Sequence, residues 1–197
     1  MNKKVFLVGL DEELIILSQI YGVNLIGIIE NSKKGIINNF KIYHESEELI
    51  KTLSIKNIII GIDSPKVKKK LDNFYSAYNI KPYSLIANEL HASSSYEPGL
   101  ILQQEAYVSV NCKIGRYVKI NVGATIMHDV KIGNYSTIAP KAVLLGRVKI
   151  GSCVFIGANA TILPDIIIGD NVIIGAGAVV TKNIPSGVIA KGVPAKY

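Results

Sequence analysis

Residues 120 to 138 read Ile120-Asn121-Val122-Gly123-Ala124-Thr125-Ile126-Met127-His128-Asp129-Val130-Lys131-Ile132-Gly133-Asn134-Tyr135-Ser136-Thr137-Ile138, with isoleucine at every sixth position. The frame runs on in both directions without a miss, through Leu102, Val108 and Ile114 on one side and Leu144, Ile150, Ile156, Ile162, Ile168, Ile174 and Val180 on the other. With aliphatic side chains at about a third of all positions, such a run has a chance probability on the order of 10⁻⁷. Four residues after each frame position stands a second small or apolar residue, from Ala106 and Cys112 to Ala178 and Ile184. Glycine often follows the frame residue directly, at Gly115, Gly133, Gly151, Gly157, Gly169 and Gly175. Period six fits neither an amphipathic helix nor a meander with variable loops. It predicts a coil of very short strands whose equivalent residues stack into one continuous aliphatic core.

The whole chain has 197 residues, 49% hydrophobic and 19% charged, which excludes a disordered chain and leaves room for a small domain joined to the repeat. No apolar run nears the roughly 20 residues needed to cross a bilayer. The apolar run at 5–8 is cut short by Asp11-Glu12-Glu13 and reads as a first strand, not as a signal peptide. Cys112 and Cys153 are too few for a disulfide framework or a four-cysteine zinc site, and suit a reducing cytoplasm. Of the net charge of +7, most comes from residues 91–197, where 10 Lys and Arg face 5 acidic residues. That excess suits an anion. The basic residues come singly and without aromatic interleaving, which argues against a nucleic-acid surface.

Residues 1–90 alternate strands and helices. Strands are expected at 4–9, 23–30, 57–62 and 82–87, and helices at 11–20, 46–53 and 65–78. The alternation predicts a small α/β unit, Rossmann-like βαβαβ, with a parallel sheet and right-handed crossovers. Residues 91–101, containing Ser93-Ser94-Ser95 and Pro98-Gly99, read as a linker, and 102–197 as the repeat domain with a C-terminal cap. Such a unit binds ligands past the carboxyl ends of its strands. Gly9-Leu10-Asp11-Glu12-Glu13-Leu14 lies there, lacks a Gly-x-Gly-x-x-Gly pattern and sets three carboxylates at the helix start. A dinucleotide's pyrophosphate would be repelled.

The repeat resembles that of the hexapeptide-repeat acyltransferases. The α/β unit before it and Gly192-Val193-Pro194-Ala195-Lys196 after it narrow the resemblance to the sialic-acid O-acetyltransferase and nucleotide-amino-sugar N-acetyltransferase family. This resemblance implies a left-handed parallel β-helix with three hexads per triangular coil. It further implies acetyl-CoA as co-substrate without a metal, a nucleotide-linked sugar as acceptor, and a cytoplasmic homotrimer with sites between neighbouring helices. With three hexads per coil and about 4.8 Å between strands, Val110, His128, Gly146 and Pro164 form one column. Asn111, Asp129, Arg147 and Asp165 form the next.

His128 is the one histidine of the repeat. An imidazole suits the removal of a proton from an attacking amine or hydroxyl near neutral pH, and Asp129 beside it would fix the tautomer. The resemblance gives Gly146 the part of presenting its N–H to the thioester carbonyl, where it stabilises the developing oxyanion. By the same resemblance the pantetheine arm lies along small residues, Gly157 with Ala158 and Gly175 with Ala176, while Lys182, Lys191 and Lys196 meet the phosphates of the cofactor. Gly9, Glu30, Asn31, Gly61 and Asp63 end the first three strands, and together with Asn121 they are the candidate acceptor-binding residues. The chain departs from the family in two places. It lacks the Gly-x-Gly-Gly-His-like turn after the first strand, and it has Thr137 where many relatives carry a second histidine. Cys112 falls on an inward position and no histidine stacks with Cys153, so direct attack on acetyl-CoA is expected, without an acyl-cysteine.

The expected activity is transfer of an acetyl group to the amino group of a nucleotide-linked amino sugar. The same site would also serve a hydroxyl, as in O-acetylation of a sialic acid, and a noncatalytic scaffold would keep the same fold. A hexapeptide carbonic anhydrase needs three histidines for its metal, and the repeat has one.

Overall fold

The computed structural model describes residues 3 to 197. Val5–Val8 (β1), Leu25–Ile29 (β2), Gly35–Ile37 (β3), Phe40–Tyr43 (β4), Asn57–Ile60 (β5) and Lys81–Pro82 (β6) form one sheet in the order β3-β4-β2-β1-β5-β6. Three helices connect them, Glu12–Ile20 (α1), Glu47–Thr52 (α2) and Pro65–Ser76 (α3). Asp11 starts α1 by accepting the Leu14 N–H at 3.1 Å, and Glu12 and Glu13 complement the dipole of its first turn. Alternate residues of β1 serve opposite layers. Val5 and Leu7 join Leu14 and Ile15 of α1, and Phe6 and Val8 join Ile50 of α2 and Tyr75 of α3.

The parallel βαβαβ frame is as the alternation predicts, with one addition. β3 is antiparallel to β4, joined through Asn38 and Asn39, both at positive φ (48° and 67°). Two such residues between β-branched strands are the mark of a tight hairpin, a signal the helix-strand alternation had hidden. The single strand expected at 82–87 is two. Lys81–Pro82 ends the α/β sheet, whereas Leu85–Ile86 pairs with Ile101–Leu102 of the repeat. The linker expected at 91–101 is built into the lowest coil, since Ser95–Tyr96 pairs with Lys113–Ile114. Ser94 takes the inward place there and closes the turn by donating to Ser109 O at 2.7 Å, so polar residues do the work of the aliphatic pattern.

Each strand from Tyr107–Val108 to Thr161–Ile162 pairs in parallel with the strand 18 residues later, as in Tyr107↔Thr125, Lys113↔Lys131 and Thr161↔Val179, and the last coil shortens the step to 16, as in Ile173↔Ile189. The result is a prism of three parallel sheets. The first face carries Ile101–Leu102, Lys119–Ile120, Thr137–Ile138, Phe155–Ile156 and Ile173–Ile174; the second carries Tyr107–Val108 up to Val179–Val180; the third carries Ser95–Tyr96 up to Ile167–Ile168. All the frame residues from Leu102 to Val180 are buried, and so are those four places later. At about 2 kcal/mol for each buried aliphatic side chain, this stack is what drives one coil onto the next.

The α/β domain is held on the first face by charged groups. The buried Lys119 Nζ lies 2.9 Å from Asp11 Oδ2 and 2.9 Å from Asp63 Oδ1, and donates to Gly61 O. Burial works to lower its pKa, but the two carboxylates outweigh it and hold the ammonium above its ordinary value. Lys68 of α3, buried beside it, donates to Ser136 O at 2.9 Å and Thr137 Oγ1 at 2.7 Å. Burial, with repulsion from Lys119, pulls it down to about 7. Asp72 of α3 accepts two bonds from Arg116, at 2.8 and 2.7 Å, and one from the Tyr135 hydroxyl at 2.8 Å.

Candidate active site

His128 sits in the turn that leads from Thr125–Ile126 on the second face to Lys131–Ile132 on the third. Asp129 takes the left-handed place of this turn (φ 61°), as Asn111, Arg147 and Asp165 do one coil below and one and two coils above. That conformation suits Asn and Asp, and it turns the carboxylate back along the column. Asp129 Oδ2 lies 2.8 Å from His128 Nδ1, and Asn111 Nδ2 donates to Asp129 Oδ1 at 3.3 Å. A carboxylate only accepts, so Nδ1 carries the proton and Nε2 of the neutral ring keeps its lone pair. The hydrogen bond from His128, then that from Asn111, holds the Asp129 carboxyl below its usual pKa. Both side chains are close to half exposed, at 42% and 45%.

Gly146 lies directly over the imidazole. A Cβ added there would stand 2.6 Å from His128 Nε2 and Cε1, so only glycine lets the ring occupy this place. Among the described residues the Gly146 N–H has no hydrogen-bond partner, whereas its neighbours Leu145 and Arg147 donate to Ile162 O and His128 O. The unpaired amide of the buried Gly146 and the ring of the half-exposed His128 are therefore neighbours in one column. This pairing can take a proton from a nucleophile and stabilise an oxyanion.

The other candidates are spread over the molecule. Pro164 and Lys182 continue the His128 column upward, and Lys182 is exposed. Gly157, Ala158, Gly175 and Ala176 lie at a different corner, between the first and second faces. A Cβ on Gly157 would stand 2.5 Å from Ala176 N, so coil stacking alone requires that glycine. Lys191 and Lys196 exchange backbone hydrogen bonds in the C-terminal tail with both side chains exposed. Gly9, Glu30 and Asn31 line a cleft of about 160 Å³ at the ends of β1 and β2, together with Glu45. Glu30 accepts the Leu10 N–H at 3.1 Å and the Ser32 N–H at 2.8 Å, and these bonds, that from Ser32 first, keep its carboxyl low. The cleft thus offers acceptors, and the amide a phosphate would need is taken. Gly61 and Asp63 are engaged with Lys119 at the interface. Asn121 is buried and donates to Ile138 O at 2.9 Å. Thr137 is buried between Lys68 and Asp63 O, on the face away from His128's turn. The Cys112 thiol is buried, which raises its pKa, and it points at Met127 O at 3.2 Å. Among the described residues no three His, Cys, Asp or Glu are grouped to hold a metal ion, and no helix is long and apolar enough to cross a membrane.

A family model of the bacterial transferase hexapeptide (six repeats) matches residues 111–146 and 147–182. A search of curated protein sequences found no match. Among solved structures, a mutant of perosamine N-acetyltransferase from Caulobacter crescentus in complex with CoA and GDP-perosamine superposes with a TM-score of 0.93 at 22% identity, covering 100% of this chain and 97% of that one. The acetyltransferase domain of PglB from Neisseria gonorrhoeae FA1090 in complex with acetyl coenzyme A gives 0.90 at 24% identity, over 100% and 99% of the two chains. WeeI from Acinetobacter baumannii AYE gives 0.87 at 25% identity, over 98% and 99%. Residues 111–182 therefore carry a repeat that matches the bacterial transferase hexapeptide model. Over its full length the chain has the fold of these proteins, a left-handed parallel β-helix preceded by a small Rossmann-like domain.

Proposed function

We propose that the chain is an acyltransferase that moves an acetyl group from acetyl-CoA to the amino group of a nucleotide-linked amino sugar. The observation that carries this reading is the His128 ring, oriented by Asp129 and roofed by Gly146 at an open corner of a transferase-type prism. The protein-bound CoA and GDP-perosamine of the Caulobacter enzyme and the acetyl-CoA of the Neisseria domain support the choice of donor and acceptor class. In this reading Nε2 of His128 takes a proton from the attacking amine, which adds directly to the thioester carbonyl. The Gly146 N–H receives the developing oxyanion, and collapse breaks the C–S bond as the leaving sulfur takes the proton back from Nε2 and departs as the thiol. Asp129 holds the imidazolium that forms.

The column of His128, Gly146, Pro164 and Lys182 gives the cofactor a path along one corner, with Lys182 at the phosphate end. Glu30 and Asn31 would bind hydroxyl or N–H groups of the acceptor's nucleotide. That cleft belongs to a domain seated on the first face, while His128 opens between the second and third. A homotrimer in which the neighbouring prism brings its own domain to this corner completes the site. The test is release of CoA thiol from acetyl-CoA with a panel of UDP-, dTDP-, GDP- and CMP-linked amino sugars. Turnover with at least one is expected, and none with any acceptor would leave a scaffold. Gly146→Ala is expected to displace the ring and lower kcat about 100-fold; unchanged kcat would remove Gly146 from the mechanism.

A further inference from the structure

Arg147 stands 18 residues after Asp129 and 18 before Asp165, and all three occupy the same left-handed turn place, at φ 64°, 61° and 64°. Its guanidinium therefore has a carboxylate one coil below and another one coil above. It is bound to the upper one by a fork, Nε to Asp165 Oδ1 at 2.6 Å and Nη2 to Asp165 Oδ2 at 2.8 Å. The lower carboxylate is left to two other donors, Asn111 Nδ2 on Oδ1 and His128 Nδ1 on Oδ2. We infer that Asp165 is a positioning residue for the His128–Asp129 pair, because it keeps Arg147 off Asp129. The inference rests on the reading of His128 as the base.

A guanidinium fork on a carboxylate is stronger and more directional than a single contact with a ring N–H. Were Asp165 neutral, the nearest carboxylate for Arg147 would be that of Asp129. Capture would draw Oδ2 away from Nδ1 and spend on an arginine the charge that steadies the imidazolium. Asn111, the partner from below, is neutral and accepts this arrangement without competing for the charge. Arg147 and Asp165 are both more than half exposed, so the pair adds little to stability. Its effect is on where one carboxylate points.

The test is Asp165→Asn, which removes the charge and keeps a residue that tolerates the left-handed turn. The His128 Nδ1–H proton resonance, far downfield while it donates to a carboxylate, is expected to move upfield in this variant. Where acetyl transfer is followed, kcat is expected to fall about tenfold with the KM for acetyl-CoA unchanged, as a base loses its orienting partner. In Arg147→Gln/Asp165→Asn no guanidinium is present to capture Asp129, and both readouts should return toward the parent. An unmoved resonance in the single variant overturns the inference. A double variant as impaired as the single one does the same, because it would mean that the turn itself was damaged. The resonance needs no acceptor, so it judges the position of Arg147 even where no sugar is acetylated, an outcome that would instead remove the reading of His128 as base.

Discussion

The prism and the α/β domain draw on the same aliphatic residues but encode their contacts differently. In the prism a side chain's neighbour lies at a fixed distance along the chain, so Ile120 meets Ile138 and His128 meets Gly146 by arithmetic. In the α/β domain the alternation of elements fixes connections and leaves partners open, and β1 lies between β2 and β5 although 48 residues separate Val8 from the start of β5. The prism's core is thus a sum of like layers, while the domain's hold on it depends on single groups. A fixed period transmits position, and an alternation transmits only order.

Substitutions can break this contrast at three levels. The largest loss is expected from Leu144→Ala, which removes a fully buried layer between Ile126 and Ile162 and should cost about 3 kcal/mol in denaturant unfolding. A loss under about 1 kcal/mol would mean that coils do not depend on their neighbours. Asp72→Ala leaves Arg116 and Tyr135 without their acceptor at a partly exposed interface, for a loss of about 2 kcal/mol. No change would mean that the domain is held by apolar contacts alone. The smallest effect is a pH dependence. The folded pKa of Lys68, about 7, lies below the ordinary lysine value of 10.5, so between these limits the unfolded chain binds more protons and stability rises with pH. Lys119 has the opposite sign and loses its contribution only above the ordinary lysine value, so it adds no slope between pH 6 and 9. Lys68→Met should flatten the rise in Tm across that interval by a few degrees, and an unaltered rise would assign it to other groups.

The same contrast explains what could be read from the residues. The buried rows follow from the six-residue period, while the three faces and the meeting of His128, Asp129, Asn111 and Gly146 needed the three hexads per coil that the family resemblance implies. The hairpin at Asn38-Asn39 was legible as turn chemistry but was hidden by the alternation around it. The interface was not legible at all. Lys119 occupies the same hexad place as Lys113, Lys131 and Lys149, yet it alone of the four is buried, because the α/β domain covers the first face and not the third. Nothing in a periodic sequence says which face is covered. For the same reason Gly61 and Asp63, at the ends of strands where a ligand would lie, proved to be partners of a lysine 58 and 56 residues away.

The account comes down to the imidazole at the corner. The most direct measurement is single-turnover acetyl transfer by His128→Ala, with acetyl-CoA saturating and its binding measured in parallel. The expected result is cofactor affinity within a few-fold of the parent chain and a rate reduced at least about 100-fold, the part a positioned base supplies. A variant that transfers acetyl at the parental rate would contradict it.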